Sequence, residues 1–222
     1  MKNSYTFGEC TRPKLEKWFG LRRALTSSVL DSWLQASVEI TEQERIALQM
    51  FQSELILGHD ALSEQELSMS FIGPILTMAR FMEPYRFKLF SGRKIGTKVA
   101  GVDREVELSG EPDGMIATGY WEPEILMFAF SEYKKMLDPH GDPAGQALAA
   151  MLVGQTLNAE PIPLYGCYVI GHNWYFMVLE GKAYTISNSF SALGDEAFDI
   201  FRILKALRKI IEDYTLTEVA SL

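Results

Sequence analysis

Polar and apolar positions recur at helical spacing through the first 62 residues. Arg12-Pro13 precedes a short amphipathic piece from Leu15 to Leu25. Thr41 with Glu44 three residues on makes a capping box, opening a helix that carries Ile46, Leu48, Phe51 and Leu55 toward Gly58. A second capping box, Ser63 with Glu66, opens a helix running to about Met82. Pro74 inside it should kink the backbone near Ser70, because proline removes a hydrogen bond and crowds the preceding turn.

The period then drops to two. Tyr85 to Phe90 alternates apolar with basic, Ser91-Gly92 turns, and Val106 with Leu108 suggests a further strand. Gly114 to Ala117 and Ile125 to Tyr133 follow as strands; the second is apolar on both faces, which suits a central strand covered on both sides. The pattern predicts a helix from Pro143 to about Leu157, with proline tolerated in its first turn. Two strands, Leu164–Gly171 and Trp174–Leu179, flank a turn at His172-Asn173. Another turn at Glu180-Gly181-Lys182 leads into Tyr184–Ser187, and Asp195 starts a last amphipathic helix through Ile211. The order predicts an α/β domain at residues 63–222, a central mixed sheet flanked by helices, with a helical N-terminal extension at residues 1–62.

Composition narrows the class. The 222 residues are 47% hydrophobic and 23% charged, which excludes disorder and collagen-like structure. Cys10 and Cys167 are too few for a disulfide framework, so a reducing cytoplasm is the expected setting. No apolar run approaches the roughly 18–20 residues that span a bilayer, and no membrane partner is expected. The start, MKNSYTFGEC, lacks the apolar core of a secretion signal. A formal charge of −8, from 21 basic and 29 acidic residues, argues against coating nucleic acid through the whole surface but leaves a local groove open.

Common catalytic signatures are missing. The sequence holds no HExxH, paired CxxC, GxSxG, Walker A loop or GxGxxG. His59, His140 and His172 have no ligand-like spacing, and Cys167 reads as a buried small hydrophobe. What remains is a constellation of carboxylates and a lysine. Asp113 stands at the start of one strand, and Glu132-Tyr133-Lys134 ends the central apolar strand. Strand alternation sets Glu132 and Lys134 on one face and Tyr133 on the other. Two carboxylates at the ends of neighbouring strands make an oxygen-rich site for a hard divalent cation. The adjacent lysine could orient a water or stabilise charge on a phosphate. The alternative is an ion pair closing a strand end. Glu180-Gly181-Lys182 repeats the tripeptide in a turn, where its charges are expected to be solvated.

Helical angles place Glu64 on the stripe of Phe71, Ile75 and Met78, while Glu66 already caps the helix. Glu64 equally suits the positive end of the helix dipole. Gln146 precedes Ala149, Ala150 and Val153, small residues that let a helix approach a sheet closely. It could hydrogen-bond a water or a phosphate at the site; the alternative is an ordinary exposed glutamine of a first turn.

Together these motifs resemble the PD-(D/E)XK nuclease superfamily, the restriction-endonuclease-like fold, over roughly Ser63 to Ile211. Glu64 with Phe71-Ile72-Gly73-Pro74-Ile75-Leu76 looks like the family's first helix, Pro112-Asp113 like its metal-binding aspartate, and Glu132-Tyr133-Lys134 like its E-x-K strand. Gln146-Ala147-Leu148 resembles the glutamine motif of the next helix, and the tail is similar to small bacterial members with no assigned task. Gly114 directly after Asp113 departs from the pattern. The resemblance implies a Mg²⁺ ion, with Mn²⁺ as a substitute, held by Asp113, Glu132 and the Tyr133 carbonyl. It implies that Lys134 positions the attacking water and that Glu64 and Gln146 assist. The expected activity is phosphodiester hydrolysis in DNA, with RNA as the other candidate substrate. The competing expectation is a non-enzymatic module that keeps the fold to bind nucleic acid or protein.

Charge is unevenly spread. Residues 80–98 hold six cations against Glu83 alone, whereas residues 99–132 hold eight acids against Arg104. Arg86, Lys88, Arg93 and Lys94 are therefore the candidate nucleic-acid contacts. Alternating lysines also protect an edge strand. The N-terminal helices are the expected surface of a possible homodimer.

Overall fold

The computed structural model describes residues 3–134, 141–158 and 161–219, with the backbone alone at 130–134 and 217–219. Its helices begin where the caps predict. After α1 (Arg12–Phe19) and α2 (Ser28–Gln35), the Thr41 hydroxyl accepts from Glu44 N–H while the Glu44 carboxylate accepts from Thr41 N–H at 2.8 Å, opening α3 (Glu42–Gly58). Ser63 and Glu66 repeat the arrangement at 2.7 Å and open α4 (Glu64–Leu67). The chain then widens into a π turn over Ser68–Ile72, with Gly73 N–H donating to the Ser68 carbonyl, before α5 (Gly73–Met78). Pro74 has no N–H to donate, and the π turn absorbs the kink. This helical run ends at Met78, short of Met82, where Arg80 adopts a left-handed φ of 57°.

The strands are β1 (Ser4–Thr6), β2 (Arg22–Arg23), β3 (Met82–Glu83), β4 (Phe87–Phe90), β5 (Ile95–Ala100), β6 (Glu105–Gly110) and β7 (Gly114–Ala117). They continue with β8 (Leu126–Lys134), β9 (Leu164–Ile170), β10 (Asn173–Glu180), β11 (Ala183–Ile186) and β12 (Phe190–Ser191). Nine form a mixed sheet in the order β2-β11-β10-β9-β8-β7-β4-β3, with β12 beside β10; the others form a small sheet, β1-β6-β5. At its centre β4, β7 and β8 run antiparallel, and α6 (Pro143–Leu157) then carries the chain over to β9, parallel to β8.

Two apolar cores cover the two faces of the large sheet. One packs α2–α5 and α7 (Glu196–Val219) against Phe87, Ile116, Phe128, Cys167 and Phe176. The other packs α1, α6 and the small sheet against Phe90, Met115, Ala129 and Met177. Strand β8 is buried on both faces from Leu126 to Ala129, as its sequence predicts. Helix α6 is buried all round from Ala144 to Gly154, wedged between the two sheets and α1. Glycine permits that approach: a Cβ on Gly154 would lie 2.3 Å from Leu126 Cδ2, and one on Gly145 would lie 2.8 Å from the Cys10 carbonyl oxygen.

The first 62 residues carry strands as well as helices, and those strands join both sheets. β1 lies parallel to β6, and β2 lies parallel to β11. The amphipathic piece expected to run to Leu25 stops at Phe19, where Gly20 turns with φ +67°, and Leu25 is 92% exposed. Ile46 faces solvent, while Leu48, Phe51 and Leu55 pack α3 against the core. Among the described residues no helix is long and apolar enough to cross a membrane.

Candidate functional site

Asp113 occupies the residue before β7. The register Gly114 to Phe130 and Met115 to Ala129 sets it beside the part of β8 that leads into Glu132. From the other side, Ser91 Oγ donates to the Asp113 carbonyl oxygen at 2.8 Å, tying the end of β4 to the same turn. Asp113 and Glu111 border a cavity of about 220 Å³ whose opposite walls are Thr6–Gly8 and the first turn of α6. Gln146 stands in that turn, buried, and lines the cavity with Asp113.

The position of that turn is fixed by a long-range clamp. Asp142 caps α6 by accepting from Gly145 N–H at 3.1 Å, and it also accepts from the backbone N–H and Nε of Arg12 at 2.8 and 3.0 Å. The N-terminal segment therefore holds the helix and walls the cavity at once. Phe7 lies so close to Gly110 that a Cβ there would sit 2.4 Å from the ring.

In β8 the backbone is irregular where the E-x-K tripeptide falls. Phe130 pairs with Cys167 and Tyr133 with Val169, so β8 holds one residue more than β9 across this stretch. Such bulges recur beside active sites, where they re-aim the strand. The side chains of Glu132, Tyr133 and Lys134 lie outside the described residues. Among the described residues, no three His, Cys, Asp or Glu side chains gather closely enough to hold a metal ion. Glu64 begins α4 half-buried; α4 lies against β8 on the face opposite α6.

The basic hairpin divides. Arg86 is half-buried, and its Nη2 donates to the Glu212 carbonyl at 2.7 Å and to Thr215 Oγ1 at 2.9 Å, so it ties β4 to α7. Lys88 lies 4.6 Å from the Phe90 ring centroid. Arg93 pairs with Glu122 at 3.5 Å in solvent, and Lys94 is exposed. The second tripeptide is more structural than expected: Glu180 accepts a 2.6 Å hydrogen bond from Ser27 Oγ, joining the β10 turn to the start of α2, while Lys182 is exposed.

Burial pushes the Cys167 thiol well above its ordinary pKa, and the Cys10 thiol up to about 11, so neither is a nucleophile at neutral pH. His59 and His172 meet with ring centroids 5.5 Å apart, remote in sequence from Asp113 and Glu132; His140 lies outside the described residues. Two contributors to the cavity were not foreseen. Glu111 is adjacent in sequence to Pro112-Asp113, and its neighbourhood was the available signal. Thr6–Gly8 gave none, because a three-residue strand is too short to show a period.

No family model matches the chain, and no curated protein matches it. Among solved structures, one described as the crystal structure of SSO0001 aligns over 95% of this chain and 77% of that chain, at 10% identity and a TM-score of 0.24. A TM-score that low carries no argument about fold or function.

Proposed function

We propose that this chain is a Mg²⁺-dependent nuclease with a restriction-endonuclease-like core, hydrolysing phosphodiester bonds in DNA. One observation carries the reading: Asp113 and the buried Gln146 border a single cavity, next to the bulged strand that bears Glu132-Tyr133-Lys134. These residues are far apart in sequence, and each belongs to a motif of the resemblance.

The donor set suits a hard divalent ion. Asp113, Glu132 and the Tyr133 carbonyl offer oxygen ligands, and Glu111 adds a carboxylate at the cavity rim. A bound Mg²⁺ supplies charge neutralisation at the phosphate and a more acidic water. Lys134 would position the attacking water, and Gln146 would hydrogen-bond that water or a phosphate oxygen through its amide. Glu64, at the start of α4, lies on the face of the sheet opposite α6 and takes no part in this proposal. Gln146 is well placed for such a role because α6 is immobilised by Asp142 and Arg12.

The test is cleavage of supercoiled plasmid, linear duplex and single-stranded DNA with Mg²⁺ or Mn²⁺. Metal-dependent cleavage is expected, falling at least a hundredfold in Asp113→Ala, on the scale of losing a major electrostatic group at a reacting centre. Binding without cleavage by the wild type would assign the chain instead to the non-enzymatic, nucleic-acid-binding reading.

A further inference from the structure

Three aromatic side chains stand together in solvent at the edge of the sheet that carries Asp113. Tyr85 is 85% exposed, Trp121 78% and Tyr120 45%. The Tyr85 and Tyr120 rings are nearly parallel, 17° apart with centroids at 5.4 Å, and Trp121 meets Tyr120 edge-on at 5.0 Å. Contiguous exposed apolar surface of this kind marks an interaction site.

The rings are held rather than loose. Tyr85 has a left-handed backbone, φ 62°, which is unfavourable for a bulky residue and here presents the ring outward. Its neighbour Arg86 is pinned to α7, and Arg86 N–H donates to the Glu83 carbonyl at 3.0 Å. Tyr120 and Trp121 sit in a loop closed by Thr118, whose hydroxyl accepts from Ile125 N–H at 3.0 Å. Gly119 turns that loop at φ +95°.

Cations border the rings. Lys88 Nζ lies 5.8 Å from the Tyr120 centroid, and Lys94 is exposed nearby in sequence. Arg93 reaches Glu122, the residue after Trp121, in an exposed ion pair that a phosphate could readily replace. Strand β4 runs from the patch to the candidate site. Lys88 pairs with Ala117 in register, and Ser91, two residues before Arg93, is bonded to Asp113.

We propose that Tyr85, Tyr120 and Trp121 are a stacking platform for unpaired bases of a single-stranded polynucleotide, whose phosphates lie along Lys88, Arg93 and Lys94 and lead toward Asp113. The proposal rests on the phosphodiesterase reading for its direction, though not for the binding itself. Aromatic faces interleaved with cations are what an unpaired polyanionic strand needs: each base offers a π face, and each phosphate a negative charge.

The probes are fluorescent oligothymidylate and oligouridylate of about ten nucleotides, and a duplex of matching length, measured by anisotropy with EDTA present so that nothing is cleaved. The wild type should bind one or both single strands more tightly than the duplex. Tyr85→Ala and Trp121→Ala should each weaken binding about tenfold, and Trp121→Phe should retain most of it. Lys94→Gln should lower the slope of log affinity against log salt by about 0.7. The rings are exposed, so melting temperatures should not move. The platform is overturned if the alanine variants bind like the wild type or if duplex is preferred. It is equally overturned if the rings drive only self-association, seen as a sedimentation change lost in Tyr85→Ala without any oligonucleotide binding. Adding Mg²⁺ separates the two readings. Ring-dependent binding with no cleavage removes the nuclease and leaves the platform; cleavage and binding indifferent to the rings remove the platform alone.

Discussion

Arg86 and Lys94 belong to the same basic run, yet burial gives them different roles. The Arg86 guanidinium donates to a carbonyl and a hydroxyl of α7, where charge-assisted hydrogen bonds are strong and an abandoned partner is costly. Lys94 is exposed. Arg86→Ala should therefore lower unfolding stability by about 1–3 kcal/mol, while Lys94→Ala should stay within about 0.5 kcal/mol. Urea denaturation of the two variants checks this. Equal, small effects would return Arg86 to the set of free surface cations. The sequence shows the charge of both residues; it cannot show that α7, more than a hundred positions away, ends against only one of them.

At the scale of elements, local chemistry was legible where it is self-contained. The capping boxes at Thr41 and Ser63, the proline-opened α6 and the doubly buried β8 each fall where the pattern puts them, because each is decided by neighbours in sequence. Strand β1 was not legible: its pairing with β6 is a tertiary event, and a three-residue strand carries no period of its own. The same limit hid half of the candidate site. Asp113 and Gln146 could be chosen from motifs, but the wall at Thr6–Gly8 depends on that pairing.

The end of α3 and the β9–β10 turn meet through His59 and His172. Burial, and then the neighbouring His59, hold the His172 imidazole below its ordinary pKa of about 6.5. The unfolded chain thus binds that proton more readily than the folded one. Stability is intact above about pH 6.5 and falls as pH drops below it. The Glu44 carboxyl stays clear of this window: although burial works against it, the hydrogen bonds from Lys205 and Thr41 keep it below its usual range. The melting temperature should fall between pH 7 and pH 5.5, and fall less in His172→Asn. An identical drop in both proteins would remove His172 as the cause.

For the whole molecule, the N-terminal strand, the turn before β7 and the start of α6 meet at one cavity, and the proposed activity further requires the end of β8 with Glu132, Tyr133 and Lys134. In this account the N-terminal residues are part of the site, because they wall the cavity and clamp α6 through Arg12 and Asp142. Net charge is compatible with a polyanionic substrate only if cations are local, and Arg93 and Lys94, which follow the Ser91 that bonds Asp113, are exposed.

The central claim is that Asp113 and Glu132 are functional carboxylates that share a divalent ion. Thermal melting with and without Mg²⁺, on the wild type, Asp113→Asn and Glu132→Gln, tests it most directly. An ion that binds only the folded state at ten times its Kd adds about 1.4 kcal/mol, or roughly 3–5 °C for a domain of this size. The wild type should show that rise and the variants should not. Without metal, the variants should melt at or above the wild type, because neutralising one of two carboxylates proposed to share an ion relieves their repulsion. The contradicting result is no response to the ion in any of the three, with Glu132→Gln destabilised by about 1–3 kcal/mol, the signature of a structural ion pair that has lost one partner.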